Sequence, residues 1–203
     1  MSNQWDDRYA NAAYAYGEAP NIFLKQELDK LKPGKILFPA EGEGRNAVYA
    51  ATKGWEVSAF DQSIEGQKKA LALAAKNNVQ IDYLVDDYKN LPYQNDEFDV
   101  IALIYAHFPA DLKSPIHQHL LPFLKPGGLI IFEAFSKKHL EYVTLNPKVG
   151  GPKDINMLFS KEELESDFSE FDFLILSESE IELNEGLYHN GTGNVMRFVG
   201  VKK

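Results

Sequence analysis

The sequence predicts an α/β protein built on a doubly wound sheet, with five parallel strands and a C-terminal antiparallel hairpin. Three observations lead there. Short apolar runs alternate with helix-forming stretches from residue 35 onward. The first of these runs, KILFPA, ends in a glycine-spaced turn that passes at once into an alanine-rich helical pattern. The last two apolar segments are joined by too short a connection for a helical crossover, so they pair antiparallel.

The elements follow in order. Residues 45–53 read as the first helix of the sheet, with Gly54 as its stop. WEVSAFD is the second strand, and residues 65–77, EGQKKALALAAKN, form a second helix of strong helix formers. IDYLVDD is the third strand. FDVIALIYAHF, apolar from Val100 to Tyr105, reads as a strand buried on both faces. Residues 111–124 suit a helix closed by KPGG, before the fifth strand LIIFEAF. Ser160 and Glu163 form a capping box for a helix running to about Phe168. FDFLILSESEIEL and NVMRFVGVKK are the hairpin strands, joined by a glycine- and asparagine-containing loop. The irregular stretch NPKVGGPKDINM, residues 146–157, reads equally as a lid or as a surface connection.

At 203 residues, 44% hydrophobic and 12% aromatic, the chain suits one globular domain, residues 1–203. Residues 1–34 are expected to be a helical cover over the site. A formal charge of −9 argues against a nucleic-acid backbone as partner. With no cysteine there is no thiolate metal site and no disulfide framework. No apolar stretch approaches the roughly 18 residues of a membrane span, and the polar N-terminus does not resemble a secretion signal. A cytoplasmic protein with no membrane partner is expected; oligomeric state is not readable.

Gly42, Gly44 and Ala47 satisfy G-x-G-x-x-A. Glycine lets the backbone turn sharply and approach a ligand closely, and the helix N-terminus beyond it offers unpaired N–H groups. Asp61 ends the second strand 17 residues after Gly44, where an acid can accept from both ribose hydroxyls of an adenosine-bearing cofactor. It also reads as a helix N-cap. NAD and S-adenosylmethionine both fit this much. Asp87 after the third strand, the antiparallel hairpin and the lack of length for a second domain favour S-adenosylmethionine.

Four stretches, EGEGRNA, VSAFDQS, DYKNLPYQNDEFDVI and LKPGGLIIFEAF, occur in order and in register. Through them the chain resembles the class I S-adenosylmethionine-dependent methyltransferases, which have a Rossmann-like doubly wound fold. WDDRYANAAYAYGEAPNIFL and EGLYHNGTGNVMRFVGVKK resemble the tellurite-resistance branch of that class. The resemblance implies that Gly42 and Gly44 line the methionine part of the cofactor, with Ala40 and Glu41 as further cofactor-binding candidates in the same turn, and that Asp61 holds the ribose with Gln62 and Ser63 beside it. Asp87 then takes the adenine amino group, the Tyr88 N–H a ring nitrogen, and Tyr105 lies near the methyl group. Residues 16–21, from Tyr16, fold over the cofactor. The chain departs from the family at Phe38, where an acid is usual, and at Ala40, where glycine is usual. Glu41 is a candidate replacement for the missing acid.

Function is expected to be methyl transfer to a small molecule, with a soft nucleophile such as a thiol, selenite or tellurite as acceptor. A cofactor-binding protein without transferase activity and a small NAD-dependent oxidoreductase are the alternatives. His107, after the fourth strand, reads as a general base or as a packed ring. His189 and Tyr105 are further catalytic candidates. Arg197 reads as an anion-recognising residue or, preferably, as a structural ion-pair partner. His117 and His119, two apart on a helix, point in different directions and suit a surface helix, not a metal site. His139 is expected to be solvated.

Overall fold

A computed structural model of the chain describes residues 4–203. Residues 1–3 of the expected cover segment lie outside the described residues. In chain order the elements are α1 (Gln4–Tyr9), α2 (Ile22–Leu28), β1 (Lys35–Pro39), α3 (Arg45–Thr52), β2 (Glu56–Asp61), α4 (Ile64–Lys76) and β3 (Asp82–Val85). They continue with β4 (Phe98–Ile104), α5 (Lys113–Leu120), β5 (Leu124–Phe135), α6 (His139–Leu145), α7 (Lys161–Asp167), β6 (Phe171–Glu185) and β7 (His189–Lys202). The strands form one sheet of order β3-β2-β1-β4-β5-β7-β6. β1 to β5 run parallel, and β7 is antiparallel to both β5 and β6. This is the expected doubly wound sheet with its terminal hairpin.

Strand periodicity explains the two cores. Along β1, Ile36 and Phe38 face α2, α3 and α4, while Leu37 points to the opposite face. Along β4, Val100, Ala102 and Ile104 join the first layer, and Ile101 and Leu103 join Phe132, Phe159, Phe168 and Phe198 in the second. Both faces are covered, so the strands read as continuous apolar runs. Each fully buried Phe or Leu contributes about 1.5–3 kcal/mol to this packing.

Four local expectations are corrected. The helix expected over 111–124 ends at Leu120 and gives way to a 3-10 turn at Leu121–Phe123, because Pro122 offers no N–H and disfavours helix before it. KPGG then belongs to the start of β5, where Leu124 pairs with Phe98 across a register shift. The loop expected between the hairpin strands, residues 184–193, shrinks to a turn at 186–188, with Gly186 at φ 61°, so β6 runs on to Glu185 and His189 opens β7. Residues 139–145, to which the sequence assigned no helix, form α6, which packs Val143 into a small core with Phe135, Val149 and Leu158. Residues 146–157 hold two 3-10 turns, and Val149 is fully buried.

The capping box is present as expected: the Ser160 hydroxyl accepts from the Glu163 N–H, and the Glu163 carboxylate accepts from the Ser160 N–H at 2.9 Å.

Close packing of the glycine turn against α4 yields a stability prediction. Gly44 sits at φ +86°, and a Cβ there would lie 2.5 Å from the Ala70 Cβ and 2.7 Å from its Cα. Gly44→Ala is expected to lose more than the ~1–2 kcal/mol of left-handed strain alone, read as a lowered urea midpoint with unchanged slope.

Candidate functional site

The carboxyl ends of β1, β2, β3 and β4 lie side by side, and the residues that follow them build the site. β1 leads into Ala40, which adopts φ 52°, and then into Gly42 and Gly44 at φ 64° and 86°. Ala40 thus holds the left-handed conformation that glycine adopts freely, at a strain of roughly 1–2 kcal/mol. Tyr105, the residue after β4, is likewise left-handed at φ 51°. Strained non-glycine residues at two adjacent strand ends mark a place where the backbone is held by its surroundings.

Asp61 faces the turn from the end of β2. Its Oδ2 accepts from the Gly42 N–H at 3.0 Å and its Oδ1 from the Ser63 N–H at 2.9 Å. Burial pushes its carboxyl up to about 6, against those N–H groups and that of Gln62. With three N–H groups around it, the carboxylate still has lone-pair capacity left for a further donor. The helix cap is not Asp61 but Ser63, whose hydroxyl accepts from the Gly66 N–H and donates to Asp6. Ser63 is fully buried and so lies beneath the site, not on its surface, whereas Gln62 is exposed. Asp87 caps a 3-10 turn at Tyr88–Asn90 through the Lys89 N–H, and Tyr88 packs edge-on against His119.

Glu41 turns inward. Its Oε1 accepts from the Asn46 and Ala47 N–H groups at 2.9 and 2.8 Å, capping α3 where Gly44 has no side chain to do so. Burial raises its carboxyl to about 7 despite these donors. Glu43, which sequence reasoning passed over, ties the cover segment down: its Oε2 accepts from the Ala15 N–H and its Oε1 pairs with Lys69, both at 2.7 Å.

Beside this edge lies a cavity of about 270 Å³, walled by Tyr16, Asn21, Arg45, Tyr105, Glu133 and Arg197 among others. Glu133, fully buried at the end of β5, accepts from Asn21 Nδ2 at 2.6 Å and from Arg197 Nε. Asn21 caps α2 through the Leu24 N–H and donates its own N–H to Asn46. Arg45 donates to the Tyr16 carbonyl at 3.2 Å and to Glu185 at 3.0 Å. Glu185 also takes His189 Nδ1 at 2.9 Å; burial opposes its ionisation, but His189 and Arg45 hold its carboxyl at about 2. The His189 ring packs against Tyr16 and Tyr105, with centroids 4.5 and 4.7 Å apart, and burial lowers its pKa. Tyr105, Tyr16 and His189 are therefore brought together. Asn21 falls at the end of the segment expected to fold over the cofactor, whereas Arg45, Glu133 and Glu185 were missed; of these, Glu133 alone left a readable sign, as a lone acid inside LIIFEAF.

His107 is not brought to that cavity. Its Nδ1 meets the Met157 carbonyl at 3.1 Å and its Nε2 the Phe135 N–H at 3.3 Å. Burial depresses its pKa to about 3, leaving a neutral ring with both nitrogens engaged. Two other histidines depart from expectation. His117 is fully buried, with Nδ1 2.7 Å from Asp167, because α5 is covered by α7. His139 is also fully buried, stacked on Phe135 and hydrogen-bonded to Gly150 and Asn194. Among the described residues, no group of three or more His, Asp or Glu is placed to hold a metal, and no helix is long and apolar enough to cross a membrane.

The Glu41 position sets a pH dependence. Its carboxyl titrates near 7 in the fold and near 4.5 when unfolded, so its contribution is complete below pH 4.5 and is lost as pH rises through 7. Relative to Glu41→Gln, the wild type should therefore lose stability, on the order of 3 kcal/mol, between pH 4.5 and 8, read from urea midpoints at each pH.

Comparison with known proteins fits this architecture. Residues 36–128 match the family described as "Methyltransferase domain". An uncharacterized protein of Mycobacterium tuberculosis is 32% identical over 100 residues, 48% of this chain, and the match spans 36% of that protein's length. Among solved structures, a protein of the conversion of a disulfide bond into a thioacetal group during echinomycin biosynthesis superposes with a TM-score of 0.76 at 16% identity, covering 98% of this chain and 91% of its own. TehB from Haemophilus influenzae gives 0.72 at 18% identity, covering 98% and 66%. The magnesium protoporphyrin IX methyltransferase of Synechocystis, solved with S-adenosylhomocysteine bound, gives 0.62 at 17% identity, covering 89% and 81%. The chain thus has the fold of these methyltransferases, a mostly parallel seven-stranded sheet with a C-terminal antiparallel pair, and its residues 36–128 are similar to a methyltransferase domain.

Proposed function

We propose that the chain transfers a methyl group from S-adenosylmethionine to a small-molecule acceptor, with a soft nucleophile such as a thiolate, selenite or tellurite as the attacking group. The observation that carries this reading is the Asp61 carboxylate, held at the end of β2 between the Gly42 N–H of the left-handed glycine turn and the Ser63 N–H ahead of α4. A buried acid at a strand end with acceptor capacity to spare suits a ribose hydroxyl. Gly42 and Gly44 leave the backbone open to close approach, and Asp87 and Tyr88 stand after the neighbouring strand for an adenine ring.

The cofactor supplies an electrophilic methyl group on a sulfonium; the chain supplies position and exclusion of water. Tyr105 stands at the end of β4 beside the cavity, and the cover segment closes over it through Tyr16 and Asn21. Glu43 and Glu133 hold that segment shut from two sides. A soft nucleophile is supported by the state of the histidines: the His107 lone pair is used by a backbone N–H, and His189 is turned by its Nδ1 toward Glu185. Thiolates and chalcogen oxyanions attack without a strong base, whereas an alcohol needs one. The neighbour from the conversion of a disulfide bond into a thioacetal group supports a sulfur acceptor.

Calorimetry tests the cofactor. S-adenosylhomocysteine should bind and NADH should not. Asp61→Ala should weaken the former by about 1.5–3 kcal/mol, the range for hydrogen bonds to a charged group. Tight NADH binding without S-adenosylhomocysteine binding overturns the reading, and an unchanged dissociation constant in the variant removes Asp61 from the ribose.

A further inference from the structure

The walls of the 270 Å³ cavity are unevenly satisfied. At roughly 30 Å³ per water, it has room for about nine water volumes, which suits a small ligand. Its carboxylates are well supplied with donors. Glu133 accepts on both oxygens, from Asn21 and from Arg197. Glu185 accepts from Arg45 and His189 on one oxygen. The conspicuous unmet groups are donors. Arg197 uses only Nε, so the four N–H bonds of its two terminal nitrogens have no partner among the described residues. The Tyr105 hydroxyl is buried and also has no partner of hydrogen-bonding geometry.

The Arg197 fork is held in place before any ligand arrives. Glu133 fixes its Nε side, and the Phe23 ring lies 4.9 Å beneath its central carbon. A guanidinium fixed in this way presents two parallel donors, the geometry that matches a carboxylate or another oxyanion. Each arginine is already offset by one carboxylate, so recognition rests on unmet N–H and O–H donors and not on net positive charge.

We propose that this cavity is an oxyanion-recognising acceptor pocket, in which the fork of Arg197 and the hydroxyl of Tyr105 hold a carboxylate or inorganic oxyanion of the methyl acceptor. The inference rests on the reading of the site as that of a small-molecule methyltransferase. It adds that an acceptor thiol carries an acid group, or that the acceptor is itself an oxyanion.

The test uses the full chain and pairs 3-mercaptopropionate with its methyl ester, with selenite as the inorganic probe. Binding is measured by calorimetry without cofactor, and methyl transfer separately. The acid should bind at least tenfold more tightly than the ester, and Arg197→Lys, which keeps the charge but loses the fork, should bring the ratio near one. Since Arg197→Met alone strands the buried Glu133 charge, the paired variant E133Q/R197M provides a second measurement, with thermal unfolding confirming that it folds; it should lose the preference as well. If the preference is present and lost in these variants while no probe is methylated, the oxyanion site stands and the transferase reading fails. Equal affinity for acid and ester, no binding of either the acid or selenite, or a preference unchanged in Arg197→Lys overturns the proposal. So does an Arg197→Lys variant that binds S-adenosylhomocysteine more weakly but keeps the preference, because the fork then serves the amino-acid carboxylate of the cofactor.

Discussion

The buried carboxylate of Glu133 is the joint on which the site depends. A charge at zero exposure persists only if it is paired and hydrogen-bonded. Glu133 meets that demand by drawing in Asn21 from the cover segment and Arg197 from β7. Its backbone carbonyl also accepts from the Tyr105 N–H at 2.7 Å, fixing the strained residue at the end of β4. One side chain thus couples the centre of the sheet, the hairpin and the segment that closes over them. Loss of either partner leaves part of the carboxylate unmatched, so cover, hairpin and strand end are held to one arrangement.

A second set of contacts secures the cover from the other side. Ala15 is held by Glu43, and Gly17 packs so tightly against Gly186 that a Cβ on Gly186 would approach the Gly17 nitrogen to 2.4 Å. The Leu187 N–H donates to the Ala15 carbonyl at 2.8 Å. The hairpin turn and the cover segment therefore meet backbone to backbone, which only glycines permit. Tyr9, buried at 6% exposure and adjacent to Gly42, makes α1 part of the packed structure as well as part of the cover.

The charged groups of the turn show how position decides role. Glu41 and Asp61 are both buried acids near the same glycines, and burial raises both. Glu41 points into α3 and satisfies helix N–H groups, whereas Asp61 stands at a strand end with lone pairs to spare. Phe38, one strand position short of the turn, is fully buried against α2 and α3. An acid at that position would need a partner, and here the space is filled by packing instead.

The sequence by itself determined the alternation of strands and helices from β1 to β5, the antiparallel hairpin, the glycine turn and the acid at the end of β2. These depend on local causes: period-2 and helical patterning, a conformation glycine favours, a capping box, and spacing too short for a crossover. The tertiary structure alone decided which polar side chains meet. His107, His139 and His117 carry no local sign that Met157, Gly150 and Asp167 will engage them. Arg45 and Glu185 are 140 residues apart, and Asn21 and Glu133 are 112 apart. Such pairs form because burial makes an unpaired polar group costly, and the partner is whichever group the folded chain carries to that place.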